Sequence, residues 1–138
     1  MRLLAALVLC ALLPAAALAA AKSFVPYPHS KPDVASAKQA EKLAPGTHVG
    51  VWTSTDSFEQ VVAFYKARYS AYKMPGTGAV GAQRVKMAFF MLDGAADISK
   101  SRSWMKVQRP FVGNFSFHNG APQPQDVRDL TAIERVTK

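Results

Sequence analysis

Six apolar side chains, Phe58, Val61, Val62, Tyr65, Tyr69 and Tyr72, recur at spacings of 3, 1, 3, 4 and 3 residues. At 100° per residue they fall in a stripe about 100° wide, with Glu59, Gln60, Lys66 and Lys73 outside it. The spacing predicts an amphipathic helix over about 57–72. Such a helix must bury its stripe against another layer, which restricts the possible folds more than any other feature of the chain. Asp56 stands as its N-cap and Glu59, three residues on, completes a capping box. The segments around it alternate with a period of two and supply the layer. Val49, Val51 and Thr53 alternate with His48, Gly50 and Trp52. Arg84–Leu92 carries Val85, Met87, Phe89 and Met91 on one face, and Ser103–Arg109 carries Met105 and Val107. Phe115 and Phe117 lead to Asn119-Gly120, a strong turn dipeptide. The two prolines of Ala121–Gln125 read as loop. Leu130, Ile133 and Val136 have helical spacing, but β-branched Thr131, Ile133 and Val136 favour a C-terminal strand over 127–136. The expected fold is α+β, with helix 57–72 on an antiparallel sheet of about four strands. A chain of 138 residues has room for one such domain and none for a TIM barrel.

The first 19 residues belong to a different grammar. Met1-Arg2 is a minimal positive start, Leu3–Leu13 is an uncharged apolar run, and Ala17-Leu18-Ala19 is an A-x-A exit. An eleven-residue run rises too little to cross a hydrocarbon core of about 30 Å. The pattern predicts a secretory signal cleaved after Ala19 and a periplasmic or secreted product. Cys10 lies within the run after Leu9, away from any lipoprotein cleavage point, so the mature chain has no cysteine, disulfide or thiolate ligand. Residues 20–45 then form an arm and a short helix. Pro26, Pro28 and Pro32 keep the arm extended, with Phe24 and Tyr27 available to pin it. Asp33 caps an alanine-rich helix from Val34 to Leu43, and Ala44-Pro45-Gly46-Thr47 turns the chain into the domain at 46–138. No segment after the signal is long and apolar enough to span a membrane. Loss of Arg2 leaves 16 basic against 9 acidic residues, a net charge of +7. That balance favours an anionic envelope component or an acidic protein as partner. Export argues against nucleic acid.

The run from Trp52 to Lys66, W-T-S-T-D-S-F-E-Q-V-V-A-F-Y-K, resembles small exported bacterial proteins of unknown function that carry Y-T-T-x-D-S-F-E-x-V-V-x-F-Y-K after a Pro-Gly turn and a strand. Pro45-Gly46 stands at that turn. Trp104–Pro110 and Leu130–Val136 are more loosely similar to later strands, so the resemblance spans about residues 45–136. Its residues are mostly capping and core. It implies a helix on an antiparallel sheet and no activity.

Chemistry-bearing patterns are sparse. His29, His48 and His118 fit no metal-binding spacing, and there is no nucleophile elbow or phosphate loop. Capping explains Asp56, and a polar turn explains Asp93 and Asp97, which lack the further ligands of a calcium loop. The tyrosine column reads as core with wet hydroxyls. No cofactor, metal site or catalytic residue is implied. One feature stands out: Ile98–Gln125 has no carboxylate but carries Lys100, Arg102, Lys106 and Arg109. Extended pairing puts Arg102, Trp104 and Lys106 on one face. Arg84, Lys86 and Phe90, with Trp52 from the first strand, are expected on the same side, away from the helix. This cationic-aromatic face is the candidate ligand site, unless the Phe24–Tyr27 arm or the Phe111–Phe117 segment covers it. The expected function is an exported, non-enzymatic binding or interaction module. The alternatives are a small periplasmic hydrolase using His48 and His118, or a purely structural envelope protein.

Overall fold

A computed structural model of the chain describes residues 22–74 and 78–138. The expected signal peptide and its cleavage point lie outside the described residues. The elements, in chain order, are β1 (Lys31–Pro32), α1 (Val34–Leu43), β2 (His48–Ser54), α2 (Phe58–Lys66), β3 (Ser70–Tyr72), β4 (Ala79–Val80), β5 (Gln83–Arg84), β6 (Lys86–Met91), β7 (Ser103–Arg109), β8 (Phe111–His118), β9 (Ala121–Arg128) and β10 (Thr131–Thr137). The fold is α+β. Among the described residues the main sheet has six strands in the order β1-β2-β10-β7-β6-β3, all antiparallel, and β4-β5 and β8-β9 form two separate hairpins. The four expected strands are its centre, β2, β10, β7 and β6. The two extra strands, of two and three residues, are edges too short to show a period.

The helix is shorter than its stripe. Ser57, not Asp56, is the N-cap, and its capping box closes with Gln60 rather than Glu59. Asp56 instead accepts a 2.7 Å hydrogen bond from the Tyr27 hydroxyl. The helix ends at Lys66, after nine residues. Tyr69 keeps its place on the apolar side through one further turn, stacked 5.9 Å from Tyr65. Tyr72 has left the helix, because Ser70–Tyr72 pairs with Phe89–Met91 and spends its backbone groups on the sheet edge. Val61 and Tyr65 are buried, whereas Phe58 is only half-buried.

Both faces of the sheet are covered. On the α2 side, Val61, Val62, Tyr65 and Tyr69 meet Phe90, Met105, Val107 and Ile133. The arm completes this side: Phe24 sits 4.7 Å from Trp52, the Tyr65 hydroxyl donates to Val25 O, and Tyr69 bonds both Ser23 O and Val25 N. On the opposite side, α1 and the β8–β9 hairpin pack Ala37, Ala40 and Phe111 against Val49, Val51, Ala132 and Val136. Asp33 caps α1 as expected, accepting from Ser36 N at 3.0 Å.

The segment 121–125, expected as loop, is strand. Asn119 and Gly120, at φ 49° and 77°, form the primed two-residue turn that returns the chain along β8. Pro122 pairs with Phe117 and Pro124 with Phe115, in alternate positions. Alternate residues point their N–H to one side of a strand, so both missing donors fall on the edge away from β8 and the ladder survives.

Candidate functional site

Register decides which of the expected site residues meet. Ile133 pairs with Trp52 on one side and with Val107 on the other. Trp52, Ile133, Val107 and Phe90 therefore share the α2 face. Trp52 and Phe90 are core there, not part of a ligand surface. The next residue of each strand faces the other way: Val49 and Val51 from β2, Phe89 and Met91 from β6, Trp104, Lys106 and Gln108 from β7. The alternation of β7 runs as expected, and that of β2 and β6 is inverted. Those two strands are apolar at successive positions because both faces are buried, so alternation alone could not orient them.

Lys86 lies at the far end of β6. It pairs with Glu59 at 2.6 Å and stands 5.9 Å from the Phe58 ring. The Lys86 ammonium holds the Glu59 carboxyl below its usual range. Arg84 is exposed on β5, beside that end. Together with Arg109 they line a second cleft, but Arg109 is committed to Asp129 at 2.9 Å and to the Asp56 carbonyl. The expected set thus divides into core (Trp52, Phe90), a distant edge (Arg84, Lys86) and a trio along one stretch of chain, Trp104 and Lys106 on one face of β7 and exposed Arg102 in the bend just before it.

Around that trio the β7–β10 ladder presents a row of pairs on one face: Gln108 with Ala132, Lys106 with Glu134, Trp104 with Val136. One step beyond, Lys138 N donates to Arg102 O at 3.0 Å, so the row ends with Arg102 beside Lys138, both exposed. Above the row lies a groove of about 540 Å³. Its floor is Trp104, Val136, Val49 and Phe89, and its roof is Ala40 and Leu43 of α1 with Phe115 of β8. Trp104 and Phe89 lie 6.0 Å apart at 40°. Lys138 stands at its open end and Glu134 at its inner end. Beyond Glu134 a smaller space of about 110 Å³ continues between α1 and the hairpin, with Lys106, Gln108, Ser36 and Gln39 on its walls. Lys106 and Glu134 separate the two, joined at 3.1 Å with side chains 19% and 16% exposed.

The Phe111–Phe117 segment, as β8, does cover part of this face, but its cover is incomplete and leaves the groove. The arm covers the other face. Glu134, Val136 and Lys138 had a sequence signal, since they alternate along the C-terminal strand, but the partner strand was not legible. The roof residues of α1 had none.

The histidines do not converge. The His48 side chain is 90% exposed with Glu41 at 3.8 Å, and His118 is exposed at the hairpin tip. Among the described residues no group of three or more His, Cys, Asp or Glu is placed to hold a metal, and no helix is long and apolar enough to cross a membrane. Asp93 and Asp97 serve their own loop: Asp93 accepts from Arg102 N, Ser103 N and the Ser101 hydroxyl. No family model, curated protein or solved structure matches the chain.

Proposed function

We propose that the mature chain is an exported, non-enzymatic binding module of the cell envelope, and that its ligand is a free single-chain carboxylate amphiphile. The observation that carries this reading is the apolar groove over Trp104 and Val136, with Lys138 among its lining residues and exposed Arg102 as the backbone neighbour of Lys138. A carboxylate head held by two exposed cations, with its tail on an apolar floor, matches that order of surfaces. Tail burial supplies affinity and the cations supply orientation. A net charge of +8 on the full chain favours the same sign of ligand. Export rests on the positive start at Met1-Arg2, the apolar run and the A-x-A exit. A tagged copy recovered from the periplasm with its N-terminus near Ala20 is the expected outcome. Intact Met1–Lys138 in the cytoplasm would overturn it.

The binding test uses Trp104 emission in a Trp52→Phe background, titrated with decanoate below its micellar concentration. A saturable shift is expected, weakened by Arg102→Glu and by added salt. A response to anionic vesicles with none to free decanoate would replace the small ligand with a membrane surface. No response to either would overturn the reading.

A further inference from the structure

The groove does not stay apolar along its length. From Lys138, the residue after β10, back to Glu134 is four residues, roughly 13 Å of extended chain at about 3.3 Å per residue. Over that distance the floor is Trp104 and Val136. Then it meets Lys106 and Glu134, which are direct register partners and hold each other at 3.1 Å. Past them the space shrinks from about 540 to about 110 Å³ and gains the amides of Gln39 and Gln108.

We infer that the Lys106–Glu134 pair is a chain-length stop, a specificity determinant that admits a tail of about ten carbons and no more. This rests on the fatty carboxylate reading above. An extended chain advances about 1.25 Å per carbon, the projection of a C–C bond of about 1.5 Å, so roughly 13 Å holds about ten. A longer tail must either desolvate the ion pair or fold back, and both cost more than a methylene contributes. Below the stop, each methylene moved from water into the groove contributes about fourfold in affinity.

The test is a series of saturated carboxylates from six to sixteen carbons, each below its micellar concentration, read by Trp104 emission in the Trp52→Phe protein. Affinity is expected to climb several-fold for each added methylene up to about ten carbons and then level or fall. Replacing the pair together, Lys106→Met with Glu134→Leu, should extend the climb to longer chains. Val136→Phe, which fills the floor, should move the plateau to shorter ones and serves where the double variant does not fold. A climb that continues to sixteen carbons in the protein with the pair intact overturns the stop and leaves the binding reading standing. A plateau that neither variant moves overturns the assignment to this pair. Absence of binding at every length overturns the binding reading itself.

Discussion

Lys106 and Glu134 face each other across β7 and β10, and their side chains meet at 3.1 Å on the sheet face opposite α2. Each is less than one-fifth exposed. Removing one partner leaves the other charge poorly solvated, whereas removing both leaves an apolar floor. Glu134→Leu alone is therefore expected to cost about 2–3 kcal/mol, just below the range for fully buried pairs. Lys106→Met with Glu134→Leu should recover most of that. Urea unfolding of the two variants checks it, and a double variant as unstable as the single one would show that the pair has further partners.

The start of α2 allows a direct discrimination. Ser57 accepts from Gln60 N at 3.2 Å, while the Asp56 carboxylate faces the Tyr27 hydroxyl of the arm. Ser57→Ala should cost about 1 kcal/mol through loss of the cap. Asp56→Ala should leave the cap intact and loosen the arm. Its signature is faster amide exchange around Val25 and Tyr27 with little change in the helix. If Asp56→Ala instead frays residues 58–61, the N-cap assignment is wrong.

These two residues also show what sequence reading can and cannot reach. A cap followed by a Gln or Glu was legible, but Asp56-Ser57 and Glu59-Gln60 offer two boxes one residue apart. Nonlocal partners hold Asp56 outside the helix, Tyr27 of the arm at its carboxylate and Arg109 and Thr131 at its carbonyl, and Ser57 takes the cap. The strand centres at 48–53 and 103–109 were legible from alternation. The segment 127–136 was favoured as strand only for its β-branched Thr131, Ile133 and Val136, and the structure divides it, with Val127 and Arg128 ending β9 and β10 starting at Thr131. Which face each strand presents was not legible, because a sheet buried on both sides has no polar face to read. Trp104 and Lys106 stayed together because they share a strand. Trp52 and Phe90 were separated from them by the register of β2 and β6, a nonlocal fact.

Acid should weaken the attachment of α1 and the loop before β7. Burial pulls the Asp33 carboxyl upward, but its hydrogen bonds from Ser36 and the Arg128 guanidinium at 3.0 Å hold it below its ordinary value of 3.8. Burial works against Asp93 in the same way, and the bonds from Arg102 N, Ser101 and Ser103 N hold it below that value too. A depressed folded value means that the stabilisation is complete above the unfolded value and is lost as pH falls through the folded one. Stability should be flat in this contribution above about pH 5 and decline below about pH 4. Asp33→Asn should flatten part of that decline while lowering stability at neutral pH. Identical acid slopes in wild type and Asp33→Asn, from unfolding midpoints between pH 3 and 6, would remove Asp33 as a contributor.

The packing of Trp52 depends on a residue with no side chain. A Cβ added at Gly50 would meet the Trp52 ring, with Cζ3 only 2.6 Å away. Gly50 therefore lets the indole lie along its own strand, and from that position the ring meets Phe24 of the arm at 4.7 Å. Gly50→Ala must push the indole outward, and overpacking of this kind costs about 1–3 kcal/mol. The displaced ring gives up its contact with Phe24, so the arm should loosen along with it. In a Trp104→Phe background, where Trp52 alone emits, Gly50→Ala should shift emission to longer wavelength and raise quenching by acrylamide. Amide exchange at Val25, whose N–H bonds the Tyr69 hydroxyl at 3.0 Å, should rise in parallel. The groove lies on the opposite face of the sheet, so decanoate titrated against the Trp52→Phe, Gly50→Ala protein should bind as it does to Trp52→Phe alone. Loss of binding there would mean that the two faces are coupled through β2. Unchanged Trp52 emission in Gly50→Ala would mean that the indole does not lie over Gly50.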